Sequence, residues 1–372
     1  MLLAGVVGGS GSLAGPTLAA PRIHYGVGAW LSIAADASHY LPGLTGALKA
    51  LVGPSSINYG TDGRLSVMVI GSDWRPGKGG ERMDAVMVAT INPTTHQMAA
   101  VSIPRDTGLL PLPNGDPWKG KVNSLYSHYR SEDCDRICAF DKMRLALGHV
   151  LNVEVDYTVF ARFTGFDYLV DQLEGVPTDV PFEIRDNRIW DPPASPKGAK
   201  FLAGTDMVMQ GASGEHCHGT PAPINWAKVP RCFRALLYVR SRHGKVGTAN
   251  NSNYKRDKRQ QRFLLSAVAR TVVMLGADPN SDQPAFDALG ALRDSAVGRM
   301  TDYSDFWTDL PITEDQDLLE LFNLFNGAQD QPFLSATMKP SKYAYHYKQT
   351  RKYALKLPIV RALTAEWFAP VP

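Results

Sequence analysis

Three apolar runs set close together constrain this chain most: LSVMVIG at Leu65–Gly71, DAVMVATIN at Asp84–Asn92 and QMAAVSI at Gln97–Ile103. Each is short, almost continuously apolar and bounded by turn-forming or charged residues, which is the pattern of a buried strand. Asn92-Pro93-Thr94-Thr95 joins the last two as a hairpin turn. Downstream, the spacing predicts a helix over Phe140–Leu151, a strand over Tyr157–Ala161 and a helix over Phe163–Leu173. A strand over Ala235–Ser241 and a long helix over Arg256–Leu275 follow. The long helix repeats Phe263, Leu264, Ala267, Val268, Thr271, Val272 and Leu275 at helical intervals. Strands alternating with helices define the α/β class, with helices packed on a mixed sheet. From Pro284 the pattern is mainly helical, with one strand near Phe333–Thr337.

The chain has 372 residues, room for one large domain or two ordinary ones, and its 44% apolar content supplies an ample core. Met1–Ala20 is apolar but holds five glycines and no positive charge before Arg22. It reads as the remnant of a membrane anchor or signal segment. Residues 21–64 read as a partly polar, helical lead-in that ends at the turn Gly60–Gly63, and residues 65–372 as the main domain. Met209–Phe233 carries no pattern and reads as a long inserted loop.

Cys134 and Cys138, and Cys217 and Cys232, are near neighbours in polar stretches. Two short-loop disulfides would suit an exported protein; four free thiols suit a cytosolic one. A zinc site built on Cys217 with His216 and His218 matches no standard spacing.

The net charge of +3 is too small for a nucleic-acid coat. The cations are placed locally instead. Arg75, Arg82, Arg105, Lys121, Arg240, Arg242, Arg256 and Arg259 all fall at predicted element ends. In a strand Arg240 and Arg242 would point the same way, and two such guanidiniums need an anion between them. Asp73 and Asp84 flank one loop at a strand end, where α/β proteins bind ligands. Two carboxylates beside phosphate oxygens are a usual way to hold Mg²⁺. The set points to a diphosphate with Mg²⁺. The bland reading of each member is a cap, a turn or a solvated surface charge.

In order along the chain come Gly71-Ser72-Asp73 with Arg75, Arg82 with Asp84, and Ile103-Pro104-Arg105-Asp106-Thr107. Then follow Lys121 with Asn123, Phe163-Thr164-Gly165-Phe166, Val239-Arg240-Ser241-Arg242-His243, and Arg256 with Arg259-Gln260-Gln261-Arg262-Phe263. With these motifs the chain closely resembles the LytR-CpsA-Psr family, well over Leu65–Leu275 and loosely over the helical tail, 276–372. The resemblance implies a three-layer α/β/α sandwich whose central mixed β-sheet encloses an apolar lipid tunnel. It implies a membrane-anchored, extracytoplasmic phosphotransferase. Such an enzyme moves a glycopolymer from a polyprenyl-pyrophosphate carrier to peptidoglycan through a phosphodiester. The resemblance leaves the polymer open among teichoic acid, capsule and arabinogalactan types.

Carried over by residue, Asp73 and Asp84 match the Mg²⁺-associated carboxylates. Arg105, Arg240, Arg242, Arg256 and Gln260 match the pyrophosphate grip, supported by Arg75, Arg82 and Lys121. Asp84, Arg105, Arg240 and Arg242 are the catalytic candidates. Asp84 or Asp106 is the candidate base for the acceptor hydroxyl. This chain departs from the family pattern in three places. Arg82-Met83-Asp84-Ala85 lacks two hydroxyls, Lys255-Arg256 adds a cation, and the Met209–Phe233 insertion is long. A polyprenyl-pyrophosphate phosphatase and a non-catalytic isoprenoid-phosphate-binding protein are the alternatives. Intact Asp73, Asp84 and Arg105 argue against the second. A nucleic-acid-binding regulator is disfavoured because the basic run Lys255–Arg262 has no aromatics interleaved within it.

Overall fold

The three apolar runs form adjacent antiparallel strands, β1 (Leu65–Ser72), β2 (Met83–Ile91) and β3 (Met98–Ser102). Asn92 makes the turn between the last two, its Oδ1 accepting the Thr94 and Thr95 amides at 2.8 and 2.9 Å. The computed structural model describes residues 55–74, 81–131, 134–189, 198–211, 233–276, 305–312, 315–329, 331–347, 350 and 352–371.

After β3 come the hairpin β4 (Gly108–Pro111) and β5 (Pro117–Lys121), a 3₁₀ turn at Val122–Ser124, and helices α1 (Leu125–Arg130) and α2 (Arg136–Leu151). Strand β6 (Tyr157–Arg162) and helix α3 (Phe163–Gln172) follow. Then come β7 (Val176–Val180), β8 (Ile184–Asp186), β9 (Ala199–Phe201), β10 (Gly204–Gln210) and β11 (Phe233–Arg234). Helix α4 (Ala235–Arg240), strands β12 (Lys245–Val246) and β13 (Ala249–Asn250) and helix α5 (Asn253–Gly276) lead to the C-terminal part. That part holds β14 (Phe306–Thr308), α6 (Asp315–Ala328), β15 (Leu334–Thr337), β16 (Ala344–Tyr347), β17 (Lys352–Leu355) and α7 (Leu357–Trp367).

The central sheet runs β14-β6-β1-β2-β3-β15 and is mixed: β1 is parallel to β6 and β3 to β15, while the other pairs are antiparallel. Alternation along β1 explains its two faces. Met68 and Ile70 are buried with Val88, Phe160 and the α2 residues Phe140, Met143 and Leu147, and α7 adds Val360. Val69 turns to the other side, where α3 and α5 supply Phe166, Phe263 and Leu264. This is the expected α/β class with helices on both faces of the sheet. Each fully buried ring or aliphatic side chain contributes roughly 1.5–3 kcal/mol.

Cys134 and Cys138 form a disulfide across the start of α2, their Cα atoms 5.5 Å apart. Asp135 caps the same helix by accepting the Cys138 amide at 2.8 Å. The cap and the disulfide are polar signals, so the helix begins four residues before its apolar pattern does. Cys217 and Cys232 lie outside the described residues, as does most of the lead-in.

Two expectations are corrected. Ala235–Ser241 is not a strand: Ala235–Arg240 is helical. Ala235, Leu236, Leu237, Tyr238 and Val239 are all buried, so no polar face betrays the helical period, and a short all-apolar run with Tyr and Val imitates a strand. The C-terminal part is less helical than its sequence suggests, for β14, β16 and β17 join β15 there. The Met209–Phe233 stretch begins and ends in neighbouring parallel strands, with Met209 paired to Phe233 and Gln210 to Arg234; residues 212–232 lie outside the described set.

Candidate active site

Across the end of the β1–β2 pair Gly71 faces Ala85, and Asp73 and Asp84 follow on either strand. The Asp73 amide donates to the Arg82 carbonyl at 3.0 Å, which closes the connecting loop at its base. Both carboxylates lie at the mouth of a cavity of about 530 Å³. Its walls are apolar, with Val69, Met87 and Val159 from the sheet and Phe166, Leu169, Phe263 and Ala267 from α3 and α5. Its mouth is charged: Arg240, Arg242, Arg256 and Gln260 join Asp73 and Asp84 there. A greasy interior under a cationic rim suits an amphiphile with an anionic head.

Arg240 closes α4, and its guanidinium lies over the Phe163 ring, 4.1 Å from the centroid. Arg242 follows a Ser241 in extended backbone (φ −55°, ψ 129°). The two arginines therefore meet at the cavity across a helix end, not on one strand face. Arg242 is pushed below its ordinary pKa by burial, and further by Arg105 and Arg256 beside it. Such crowding of cations calls for an anion.

Arg105 does not line the cavity but pairs with Asp84 Oδ2. The other oxygen, Asp84 Oδ1, is buried and accepts no hydrogen bond. Lys121 pairs with Asp106 at 2.5 Å, one residue from Arg105. Arg256, 3% exposed, donates to the Asp84 carbonyl and to Asp257 Oδ1, both at 3.0 Å. Burial pushes the Asp257 carboxyl up, against the pull of Arg256. Gln260 donates to the Val239 carbonyl at 3.1 Å and so ties α5 to α4. Of the remaining predicted residues, Arg82 is exposed and away from the cavity lining, and Arg75 lies outside the described residues.

Three supports were not legible in the sequence. Asp186, 1% exposed, is the anchor of the arginine turn. Its Oδ2 accepts the Ser241 hydroxyl at 2.9 Å and the Arg242 and His243 amides at 3.0 Å each. Its Oδ1 accepts the Arg188 and Ile189 amides at 3.0 and 3.2 Å. Burial alone would raise this carboxyl; the five donors outweigh it and hold the pKa below the usual range. Gly244 completes the turn at φ +72°, where a Cβ would sit 1.9 Å from the Arg185 carbonyl oxygen, so only glycine fits.

Arg259 is the second support. It looks like a further phosphate ligand, yet it donates to the carbonyls of Tyr238 (3.1 Å) and Ser241 at the end of α4. The third is Glu81, which takes Arg162 in a two-pronged pair at 2.8 and 3.1 Å and the Ser72 hydroxyl at 3.0 Å. The partners that tie Asp186 to the arginine turn and Glu81 to Arg162 lie more than fifty residues away, and no local pattern announces them.

The site is an apolar cavity lined at one end by strand-end carboxylates and arginines. Residues 47–216 match the model of the LytR_cpsA_psr family. The chain is 31% identical over 112 residues to the polyisoprenyl-teichoic acid–peptidoglycan teichoic acid transferase TagU of Bacillus anthracis, a match covering 30% of this chain and 33% of that one. It is 30% identical over 128 residues to the regulatory protein MsrR of Staphylococcus aureus, covering 34% and 35%. These matches thus span about a third of the length of either relative. The crystal structure of B. subtilis TagV shares the fold, with a TM-score of 0.53 at 19% identity, over 84% of this chain and all of that one.

Proposed function

We propose that this protein is a phosphotransferase that moves a glycopolymer from a polyprenyl-pyrophosphate carrier to peptidoglycan, outside the cytoplasm. The observation that carries the reading is the junction of the apolar cavity with the cationic rim of Arg240, Arg242 and Arg256. A prenyl chain suits the walls, and its diphosphate then falls at the rim. The similarity to TagU, whose name states such a transfer, supports the reaction class. The Cys134–Cys138 disulfide suits an oxidising compartment. No described helix is long and apolar enough to cross a membrane; the N-terminal segment read as an anchor remnant lies outside the described residues.

In this reading the acceptor hydroxyl attacks the phosphorus that bears the glycan. A new P–O bond forms, the bond to the lipid phosphate breaks, and the lipid leaves as its monophosphate. Arg105, Arg240, Arg242 and Arg256 neutralise charge on the two phosphates, which is most of what phosphoryl transfer asks of a protein. The hydroxyl proton passes to a carboxylate, Asp84 or Asp106. The residues fit Mg²⁺: Asp84 keeps one buried oxygen without a hydrogen bond, Asp73 lies at the same strand ends, and waters with phosphate oxygens complete such a shell. Held by Asp73 and Asp84, Mg²⁺ would supply further charge neutralisation.

The test is transfer from a purified lipid-pyrophosphate donor to peptidoglycan fragments. Arg240→Ala is expected to lower kcat roughly a hundredfold or more without unfolding the protein. A folded Arg240→Ala variant with normal turnover would overturn the assignment. Asp73→Ala should abolish the response of the rate to added Mg²⁺.

A further inference from the structure

The hairpin β16–β17 places two tyrosines in the open. Tyr345 is 57% exposed and Tyr347 46% exposed. Two residues apart on one strand, they share a face, roughly 7 Å from each other. Lys356 Nζ stands 5.0 Å from the centre of the Tyr345 ring, and Lys339 and Lys342 are exposed close by in sequence. The charge of this region is one-sided. Residues 331–365 contain seven of the chain's 39 basic residues and none of its 36 acidic ones, so the other 337 residues carry a net −4 within an overall +3. The region also falls outside residues 47–216, so the family match says nothing of it.

The hairpin is tied to the candidate active site. Tyr353 of β17 bridges to Thr107, and its amide donates to the Asp106 carbonyl at 3.1 Å. Its ring meets that of Tyr254, at the start of α5, at 6.2 Å. Asp106 follows Arg105, which grips Asp84. Arg105, Asp106 and Tyr353 are all absent from the cavity lining. The hairpin therefore meets the site next to the Arg105–Asp84 pair, outside the cavity lining. In an in-line displacement the attacking oxygen enters opposite the leaving one. With a lipid phosphate leaving toward the cavity, the incoming hydroxyl arrives on the Arg105–Asp106 side.

We infer that the exposed face of this hairpin is the docking surface for the acceptor, a peptidoglycan strand; this rests on the transfer reaction proposed above. Tyrosine rings give flat apolar contact for the C–H faces of pyranose rings while their hydroxyls meet the sugar hydroxyls. The surrounding lysines complement the carboxylates of peptide stems. The surface reads a glycan with scattered negative charge.

The test uses the full chain and insoluble peptidoglycan stripped of attached polymers, with co-sedimentation as readout. The double variant Tyr345→Ala/Tyr347→Ala should bind roughly tenfold more weakly, the loss expected for two anchoring rings, at an unchanged melting temperature. Phe182→Ala, which removes another exposed ring (61%) elsewhere on the surface, should bind normally. In transfer assays the double variant should raise the KM for acceptor and leave that for lipid donor unchanged. Wild-type affinity for peptidoglycan in the double variant, or equally tight hairpin-dependent binding to single-stranded DNA or anionic phospholipid vesicles, overturns the inference. If the hairpin binds peptidoglycan but no transfer is found, the docking surface stands and the proposed reaction falls. If transfer occurs and acceptor KM does not respond, the reverse holds.

Discussion

Arg259 carries the same charge as Arg240 and Arg242, yet its donors go to two backbone carbonyls at the end of α4 and to Asn251 Oδ1. Burial lowers its pKa to about 10. A lysine there would keep a cation but lose the fork. Arg259→Lys is therefore expected to weaken donor binding through a misplaced Arg240, although Arg259 does not line the cavity. Titrating the variant with inorganic pyrophosphate checks this. Asp186 works on the same turn from the other side. Its folded pKa is depressed, so the stability it contributes is present above the unfolded carboxylate value, about 4, and is lost as pH falls through the folded value. Asp186→Asn should lower the melting temperature at pH 7 and flatten its decline below pH 4. Parallel acid unfolding of wild type and variant checks this, and identical pH profiles would count against it.

At the scale of elements, the strands β1–β3 were legible because each is apolar, short and punctuated, and the long α5 because its stripe repeats over many turns. Helix α4 was not, since burial on every side erased its period. The hairpin β16–β17 was missed because neither strand alternates buried with exposed positions: β16 buries only Ala344, and β17 is half-buried throughout. Among site residues, strand-end charges such as Asp73, Asp84 and Arg105 stood out locally, whereas Asp186 reaches the arginine turn and Glu81 reaches Arg162 through contacts that the fold brings in. The start of α2 offers a separate test. The Cys134–Cys138 crosslink closes a very short loop, which the chain-entropy model values at about 2 kcal/mol. The Cys134→Ser/Cys138→Ser double variant should melt a few degrees lower, and an unchanged melting temperature would show that α2 starts independently of it. Between α2 and β6, burial first and then Asp62 and Glu154 push Asp156 up to about 7. The folded protein therefore holds a proton there that the unfolded chain has released, and stability should fall as pH rises from about 4 to 7. Asp156→Asn should remove that slope in thermal melts across the same range.

The whole molecule divides its labour by face. One face of the sheet is closed by α2 and α7 into solid core, and the other is held open between α3 and α5 as a cavity. A Cβ on Gly165 would come within 2.1 Å of the Asp305 carbonyl oxygen, so this close approach sets α3 against the strand that edges the sheet. The crowding of Arg242 by Arg105 and Arg256 also bears on how the purified protein behaves in the tube. Mutual repulsion is strain that any small dianion can relieve, so phosphate or sulfate in a storage buffer should act both as a stabiliser and as a competitive inhibitor. An anion present at a hundred times its Kd adds about 2.7 kcal/mol to folding, which makes a phosphate-free buffer the condition in which donor affinity is read without a hidden rival.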